Sequence, residues 1–279
     1  MNEYRKILKT NKGRRAIDGA GVNLVRVFGY GETKDYDPFL MLDAFDSSNP
    51  EDYIKGFPWH PHRGIETITY LIEGEIEHQD SLGNKGVIRG GDGQWMTAGS
   101  GIIHQEMPKA SSRMLGAQLW LNLPAKFKMT KPAYGDIRKE DIPVLDESSA
   151  VVRVVAGNYK GIKGGFVGSF IDASYLDVQV KAGQEWVYDT NGDENLFLYI
   201  FEGSGIFDKD SSVVVEEKTA VLFTRGDKLF VKAVGDLRFV VLSGESLSES
   251  IAWGGPIVMN TKVELDQAFK DLEDNTFIK

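Results

Sequence analysis

Residues 57–74 read FPWHPHRGIETITYLIEG, and this stretch decides the fold class. In its second half apolar and polar residues alternate, and alternate side chains of an extended chain point to the same face. Ile68, Tyr70 and Ile72 therefore share one face of the segment, and Gly74 ends it. This period of two predicts a half-buried β-strand.

Segments of the same kind recur along the chain, separated by glycine-rich turns. They include residues 22–29, 117–124, 151–157, 174–183, 196–207 and 237–245. Thirty-one glycines against nine prolines also favour tight turns between short strands. The recurrence predicts an all-β sandwich or barrel fold. Residues 68–78 and 197–207 share one plan, strand, Glu-Gly, strand, which indicates a duplicated β domain.

The strand pattern loosens at residues 126–150, where Pro132, Pro143 and many charged residues stand. We therefore expect an N-terminal domain over residues 1–130, a linker over 131–150, a C-terminal domain over 151–250 and a tail over 251–279. The tail is predicted to contain a helix packed on the sandwich, because Thr261 and Glu264 match a capping box before an apolar stripe.

Composition excludes several classes of protein. Acidic residues outnumber basic ones by 41 to 32, which argues against direct nucleic-acid binding, and the basic residues 1–15 are expected to be a solvated segment. The absence of cysteine rules out disulfides, thiolate metal sites and cysteine nucleophiles. Because no signal segment or membrane-length apolar run is present, we expect a cytoplasmic protein, or a nuclear one in a eukaryote.

Three of the four histidines fall into two pairs with strand spacing. His60 and His62 stand two residues apart, and so do His104 and Glu106. On a strand each pair would share one face, about 7 Å apart at the backbone, so both members could hold one ion. Three imidazoles and one carboxylate would leave positions open on a five- or six-coordinate metal. A closed zinc site, or unrelated hydrogen-bonded histidines, are the alternatives.

The chain resembles the pirin family, a branch of the cupin superfamily. The match runs almost unbroken over residues 57–108 and includes HPHRGIET, GDGQWMTAGSG and HQE in order. The segments LNLPAKFKMTKPAY (121–134) and GGPIVMNT (254–261) are also similar to pirin, so the resemblance covers most of the chain.

The resemblance implies two stacked antiparallel β-barrels of the jelly-roll type, a bicupin, with a single Fe(II) in the N-terminal barrel. Its ligands carry over onto His60, His62, His104 and Glu106, although such a set also accepts Zn, Mn, Ni, Cu or Co. The sequence itself holds no histidine after His104, which predicts a C-terminal barrel without metal.

Further candidate residues surround these ligands. Glu66 stands where many cupins place a glutamate ligand, so we expect it to support the metal ligands or to act as a pocket acid. Either Glu106 or Glu66 could accept a proton in catalysis. His78 lies near a turn and is expected at the surface or behind the ligands.

The substrate pocket is expected to include Phe57, Trp59, Arg63 and Met96. Two of these have an alternative interpretation. Arg63 could form a structural ion pair instead of binding an anion, and Met96 could pack inside the barrel.

Two functions of different classes follow from the resemblance. The first is a metal-dependent dioxygenase of the quercetin 2,3-dioxygenase type, which would oxygenate a flavonol or similar enol with O2. The second is a non-catalytic, iron-dependent redox sensor that binds a protein partner such as a transcription regulator or a metabolic enzyme. A metal site open to a flavonol-sized ligand would favour the first, and a closed site the second.

Overall fold

The structure, a computed structural model, describes residues 3–279. This part of the chain divides into two compact units. The N-terminal unit contains Arg14–Thr33, Phe39–Lys139 and Leu247–Lys279, and the C-terminal unit contains residues 3–13, Lys34–Pro38 and Glu140–Ser246. No helix within residues 3–279 is long and apolar enough to cross a membrane.

The described chain is built mainly of short strands, as predicted. The first part contains β1 (Ile7–Asn11), β2 (Arg14–Asp18), β3 (Val22–Phe28), α1 (Thr33–Tyr36), β4 (Phe39–Ser47), β5 (Phe57–His62), β6 (Ile65–Glu73), β7 (Glu75–Asp80), β8 (Lys85–Arg89), β9 (Gly93–Thr97), β10 (Ile102–Pro108), β11 (Met114–Asn122) and β12 (Ala133–Ile137). Single 3-10 turns lie at Tyr30–Glu32, Pro50–Asp52 and Ala125–Phe127.

The second part contains β13 (Val144–Asp146), β14 (Ala150–Ala156), β15 (Asn158–Tyr159), β16 (Ile162–Lys163), β17 (Ala173–Val180), β18 (Glu185–Asp189), β19 (Asn195–Glu202), β20 (Ser204–Ile206), β21 (Val215–Glu216), β22 (Ala220–Phe223), β23 (Lys228–Ala233), β24 (Leu237–Gly244), β25 (Ala252–Gly254), β26 (Ile257–Met259) and α2 (Lys262–Glu273).

The N-terminal unit contains two large antiparallel sheets and the small two-stranded sheet β25-β26. Seven strands run in the order β12-β9-β6-β11-β4-β3-β2, and four in the order β5-β10-β7-β8. Alternate residues of β10 are buried, as the period of two requires. The strands that carry the predicted metal ligands, β5 and β10, are neighbours in the four-stranded sheet, and that sheet positions the site.

The C-terminal unit repeats this plan. Its two large sheets have the orders β1-β22-β19-β24-β17-β14-β13 and β18-β23-β20-β21, around a core that includes Trp186, Phe207 and Phe239, and a small sheet pairs β15 with β16. The shared Glu-Gly plan appears as β6–Gly74–β7 and β19–Gly203–β20. Both glycines have positive φ, 109° and 83°, which side-chain-bearing residues rarely adopt. The similarity between the two segments thus reflects the same strand connection in both units.

The predicted domain boundaries differ from the two units in three places. Residues 3–13 belong to the C-terminal unit, because β1 pairs with β22 there. Part of the predicted linker is strand β12, which pairs with β9 in the N-terminal unit. The tail joins that unit too, since α2 packs its Ala268 in one cluster with Met259 of β26. The predicted cap of α2 is confirmed, because Thr261 and Glu264 form the capping box.

Candidate metal centre

Three histidines meet at the pairing of β5 with β10. His104 lies directly opposite His60 in the ladder, and Ile102 lies opposite His62. One ring nitrogen from each histidine falls in a group whose members all lie within 4.8 Å of one another. The ring centroids are 4.3 Å apart for His60 and His104 and 5.0 Å apart for His62 and His104. The alternation seen in the sequence therefore does bring the three imidazoles together.

The surroundings of each ring suit a metal ligand. Nδ1 of His60 lies 2.8 Å from the carbonyl oxygen of Pro58, and Nδ1 of His62 lies 2.9 Å from that of Pro256. A carbonyl only accepts, so each Nδ1 carries the proton and each Nε2 keeps a free lone pair. Both ring nitrogens of His104 are buried without a hydrogen-bond partner, which is costly unless a further group binds there.

Electrostatics favour the neutral form of two of these rings. Burial, assisted by the neighbouring His60, lowers the pKa of His62 to about 3. Burial and the other histidines also hold the pKa of His104 well below its ordinary value of 6.5. Neutral imidazole is the form that coordinates metal ions. The donor set, its orientation and its buried free nitrogens thus fit a metal ion.

Glu106, the predicted fourth ligand, lies beside this group and is not a member of it. It follows His104 by two residues on β10, and both side chains are buried. Its carboxylate accepts hydrogen bonds from the Thr69 hydroxyl (3.3 Å), from Gln94 Nε2 and from Gln118 Nε2 (2.8 Å). Three donors from the facing sheet therefore orient this carboxylate.

Glu66 does not reach the centre. On β6 it shares a face with Ile68 and Tyr70, whereas Thr69, which bonds to Glu106, points to the other face. Its carboxylate accepts a hydrogen bond from Thr97 at 2.6 Å, and burial raises the pKa of Glu66 to about 7. The structure therefore does not bring Glu66 together with the three histidines or with the carboxylate of Glu106.

A cavity of about 900 Å³ opens next to the histidines and includes His60 and His62 in its wall. The wall contains five further aromatic side chains, one glutamine and four charged side chains: Tyr30, Phe57, Trp59, Trp120, Trp253, Gln118, Arg14, Asp18, Arg26 and Asp43. Some of these rings form a series that begins at His62. Trp120 lies 4.9 Å from the ring of His62, and Trp253 stacks on Trp120 at 5.9 Å between centroids. Phe57 and Trp59 were expected at this pocket, and the structure places them there.

Arg63 and Met96 were also expected to line the pocket and do not. Arg63 is fully buried and donates to the carbonyl oxygens of Ser100 and Phe277 and to the carboxylate of Asp271. It is a structural anchor, which was its alternative interpretation. Met96 packs in a core cluster with Ile102 and neighbouring apolar residues, because it lies in the closed interior of the unit.

Sequence reasoning left the position of His78 open and missed three residues near the centre. His78 is buried, with its ring centroid 5.4 Å from that of His104, and it stacks on Tyr134 at 4.0 Å, so of its two expected positions the structure shows the one behind the ligands. Gln118 and Trp120 alternate along the predicted strand 117–124, and that period was a usable signal for their common face. Trp253 lies in the tail, where no pattern connected it to the histidines.

Two family models match the chain, and both describe cupin-type domains of one kind. The model described as Pirin matches residues 21–121, and the model described as Pirin C-terminal cupin domain matches residues 175–278. The bicupin fold expected from the resemblance is thus confirmed.

Individual relatives agree with this class. A pirin-like protein of Caulobacter vibrioides is 43% identical over 98% of this chain and 99% of its own length. The crystal structure of quercetin 2,3-dioxygenase from Acinetobacter baumannii superposes with a TM-score of 0.89 and 33% identity, covering 99% of both chains. The crystal structure of GK1651 from Geobacillus kaustophilus superposes with a TM-score of 0.78 and 36% sequence identity, covering 88% of this chain and 98% of that chain. The chain belongs to the pirin family.

Proposed function

We propose that this chain is a metal-dependent dioxygenase of the quercetin 2,3-dioxygenase type. Its substrate would be a flavonol or a similar planar enol, with O2 as the second substrate. His60, His62, His104 and Glu106 would hold the metal, which we propose to be Fe(II). The name of the Acinetobacter baumannii relative supports the reaction type.

The observation that carries this proposal is the open cavity whose wall includes His60 and His62, two of the three clustered histidines. Its volume of about 900 Å³ lies at the upper end of the range in which proteins bind small organic molecules, roughly 300–1,000 Å³. A redox-sensing binding module needs no such space, and a closed centre was expected for it. The cavity therefore favours a small-molecule substrate over a purely structural or sensing role.

The side chains of the cavity would orient a planar substrate edge-on to the histidines. Trp120 and Trp253 stack with an interplanar angle of 28° and offer extended aromatic surface, and Tyr30 closes the series at 5.7 Å from Trp253. Aromatic side chains at such distances favour offset or edge contacts with a further ring. This wall would also exclude water from the substrate rings.

The proton of the substrate hydroxyl requires an acceptor near the metal. A bound metal ion would lower the pKa of that hydroxyl and hold two substrate oxygens. Glu106 is the candidate acceptor, because it lies on the same face of β10 as His104, whereas Glu66 is on the wrong face of β6. We expect Oε2 of Glu106 to take the proton, since this oxygen accepts fewer hydrogen bonds than Oε1.

The test is oxygen uptake and carbon monoxide release by anaerobically iron-loaded protein mixed with quercetin, with bound iron quantified in the same sample. His62→Ala removes one imidazole and should abolish both iron binding and uptake. The matched control is His78→Gln, which changes the one histidine outside the three-nitrogen group and should retain iron. Unchanged turnover in His62→Ala, or no uptake by fully loaded wild-type protein, would overturn the proposal.

A further inference from the structure

The carboxylate of Glu106 faces a row of three polar side chains on the opposite sheet. Gln94 on β9, Thr69 on β6 and Gln118 on β11 belong to adjacent strands, and they are direct register partners. Register partners on an antiparallel sheet present their side chains to the same face. Three donors are thereby placed side by side in front of one carboxylate.

The donor and the acceptor of each hydrogen bond within this row can be assigned. The Thr69 hydroxyl accepts from Gln94 Nε2 at 3.3 Å and from Gln118 Nε2 at 3.0 Å, so its own hydrogen is donated to Glu106 Oε1. The orientation of the Gln118 amide is fixed from its other end, because its Oε1 accepts from Trp120 Nε1 at 3.3 Å. The amide nitrogen of Gln118 must therefore face Thr69 and Glu106, and the amide nitrogen of Gln94 must do so because a carboxylate only accepts hydrogen bonds.

Counting lone pairs distinguishes the two oxygens of Glu106. A carboxylate oxygen offers about two acceptor sites. Oε1 accepts from both Thr69 and Gln94, which uses its capacity, whereas Oε2 accepts only from Gln118. One free lone pair remains, and it is on Oε2, the oxygen bonded to a side chain that lines the cavity.

We propose that Thr69 and Gln94 are positioning residues that make Glu106 a one-oxygen ligand through Oε2. The inference rests on the proposed metal site. Three imidazoles and one carboxylate oxygen fill four places, so a six-coordinate ion keeps two places for a ligand. A carboxylate bound through both oxygens would remove one of them. When Oε2 leaves the metal, this lone pair becomes available to accept the substrate proton.

The ligand class that follows is a planar molecule that chelates through two oxygens, a hydroxyl beside a carbonyl. A monodentate anion such as azide, which binds a metal through one atom, gains no affinity from a second open coordination position. Thr69 and Gln94 thus favour chelating substrates over simple anions. They do so through their hydrogen bonds to Oε1 of Glu106, an oxygen that does not contact the substrate. This goes beyond the reaction type, because it assigns the selection to Thr69 and Gln94.

The experiment uses the full chain loaded with Co²⁺, with tropolone as the two-oxygen probe and azide as the single-atom probe. Dissociation constants come from titrations of the visible cobalt absorption. Thr69→Val and Gln94→Leu each free one lone pair of Oε1 for the metal, so tropolone binding should weaken at least tenfold while azide binding changes less than twofold. The cobalt spectrum of each variant should also change before any probe is added.

Two control variants separate this effect from loss of structure. Thr69→Ser keeps the hydroxyl and should keep tropolone affinity. Gln105→Leu removes an amide that bonds to Gln79 on the other face of β10, and it should behave as the wild type. Equal tropolone affinity in wild type, Thr69→Val and Gln94→Leu would overturn the inference alone. Failure of the wild type to bind Co²⁺ would overturn the proposed metal site and the inference with it.

Discussion

Replacement of Arg63 by methionine tests whether this residue, adjacent to His62 in sequence, serves the structure or the ligand. The guanidinium donates to the carbonyl of Ser100 at 2.7 Å, to the carboxylate of Asp271 at 2.7 Å and to the carbonyl of Phe277 at 3.0 Å. Its Cζ also lies 4.2 Å from the centre of the Phe277 ring. Arg63→Met keeps an apolar stem of similar length and removes all of these contacts.

The expected loss can be worked out from the same contacts. Removal of one partner of a buried ion pair costs about 3–5 kcal/mol, because the other charge is left unpaired. Asp271 retains the hydrogen bond from Gln267 at 2.8 Å, and its side chain is 12% exposed, so the lower end applies. We therefore expect Arg63→Met to lower the free energy of unfolding of α2 and the residues after it by about 3 kcal/mol.

Hydrogen exchange of the α2 amides measures the local loss of stability, and urea denaturation measures the global loss. Arg89→Met is the matched control, because Arg89 forms an exposed pair with Glu75 at 2.9 Å and should lose no more than about 1 kcal/mol. Metal content should be unchanged in both variants. If Arg63→Met kept wild-type protection of α2 but bound quercetin more weakly, the anchor interpretation would be refuted and Arg63 would belong to the pocket.

Four further predictions follow. Burial raises the pKa of Glu66 from 4.5 to about 7, so the stability of the wild type falls as pH rises from 4.5 to 7. In urea titrations at pH 8, Glu66→Gln should therefore be more stable than the wild type by up to about 3 kcal/mol. Its metal content should be unchanged. Trp253→Leu should weaken quercetin binding up to about tenfold in calorimetry without loss of metal. Thr261→Ala should destabilise α2 by about 1 kcal/mol, measured as faster exchange in its first turn. The hydrogen bond from Arg63 lowers the pKa of Asp271 in the folded protein, so stability is lost as pH falls through this lowered pKa. In Asp271→Asn the midpoint of denaturation should therefore depend less on pH in the acid range.

The local period of the strands explains what the sequence could predict. His60 and His62 share a face because they stand two residues apart on β5, and no distant contact is needed for that conclusion. The same rule also places Glu66 on the face of Ile68 and Tyr70, so its exclusion from the centre could have been read from the alternation. Resemblance to other cupins outweighed that local signal.

Partners far away in the chain explain what could not be predicted. The acceptors of Arg63 include Asp271 and Phe277, which lie 208 and 214 residues further on. Nothing within a strand's length of Arg63 distinguishes an anchor from a ligand-binding cation. Met96 is similar, because alternation gives its face on β9 but not how far the cavity extends along that face.

Glu106 shows where the two kinds of information meet. Its spacing from His104 gives the correct face of β10, but the role of the carboxylate depends on which donors face it. Thr69 is 25 residues from Gln94 and 49 from Gln118, and the three align because β9, β6 and β11 are adjacent in one register. A slip of one residue in any of these strands would turn its polar side chain to the opposite face. The spacing within β10 therefore determines that His104 and Glu106 share a face. The register of β9, β6 and β11 determines how many oxygens of Glu106 are free to bind a metal.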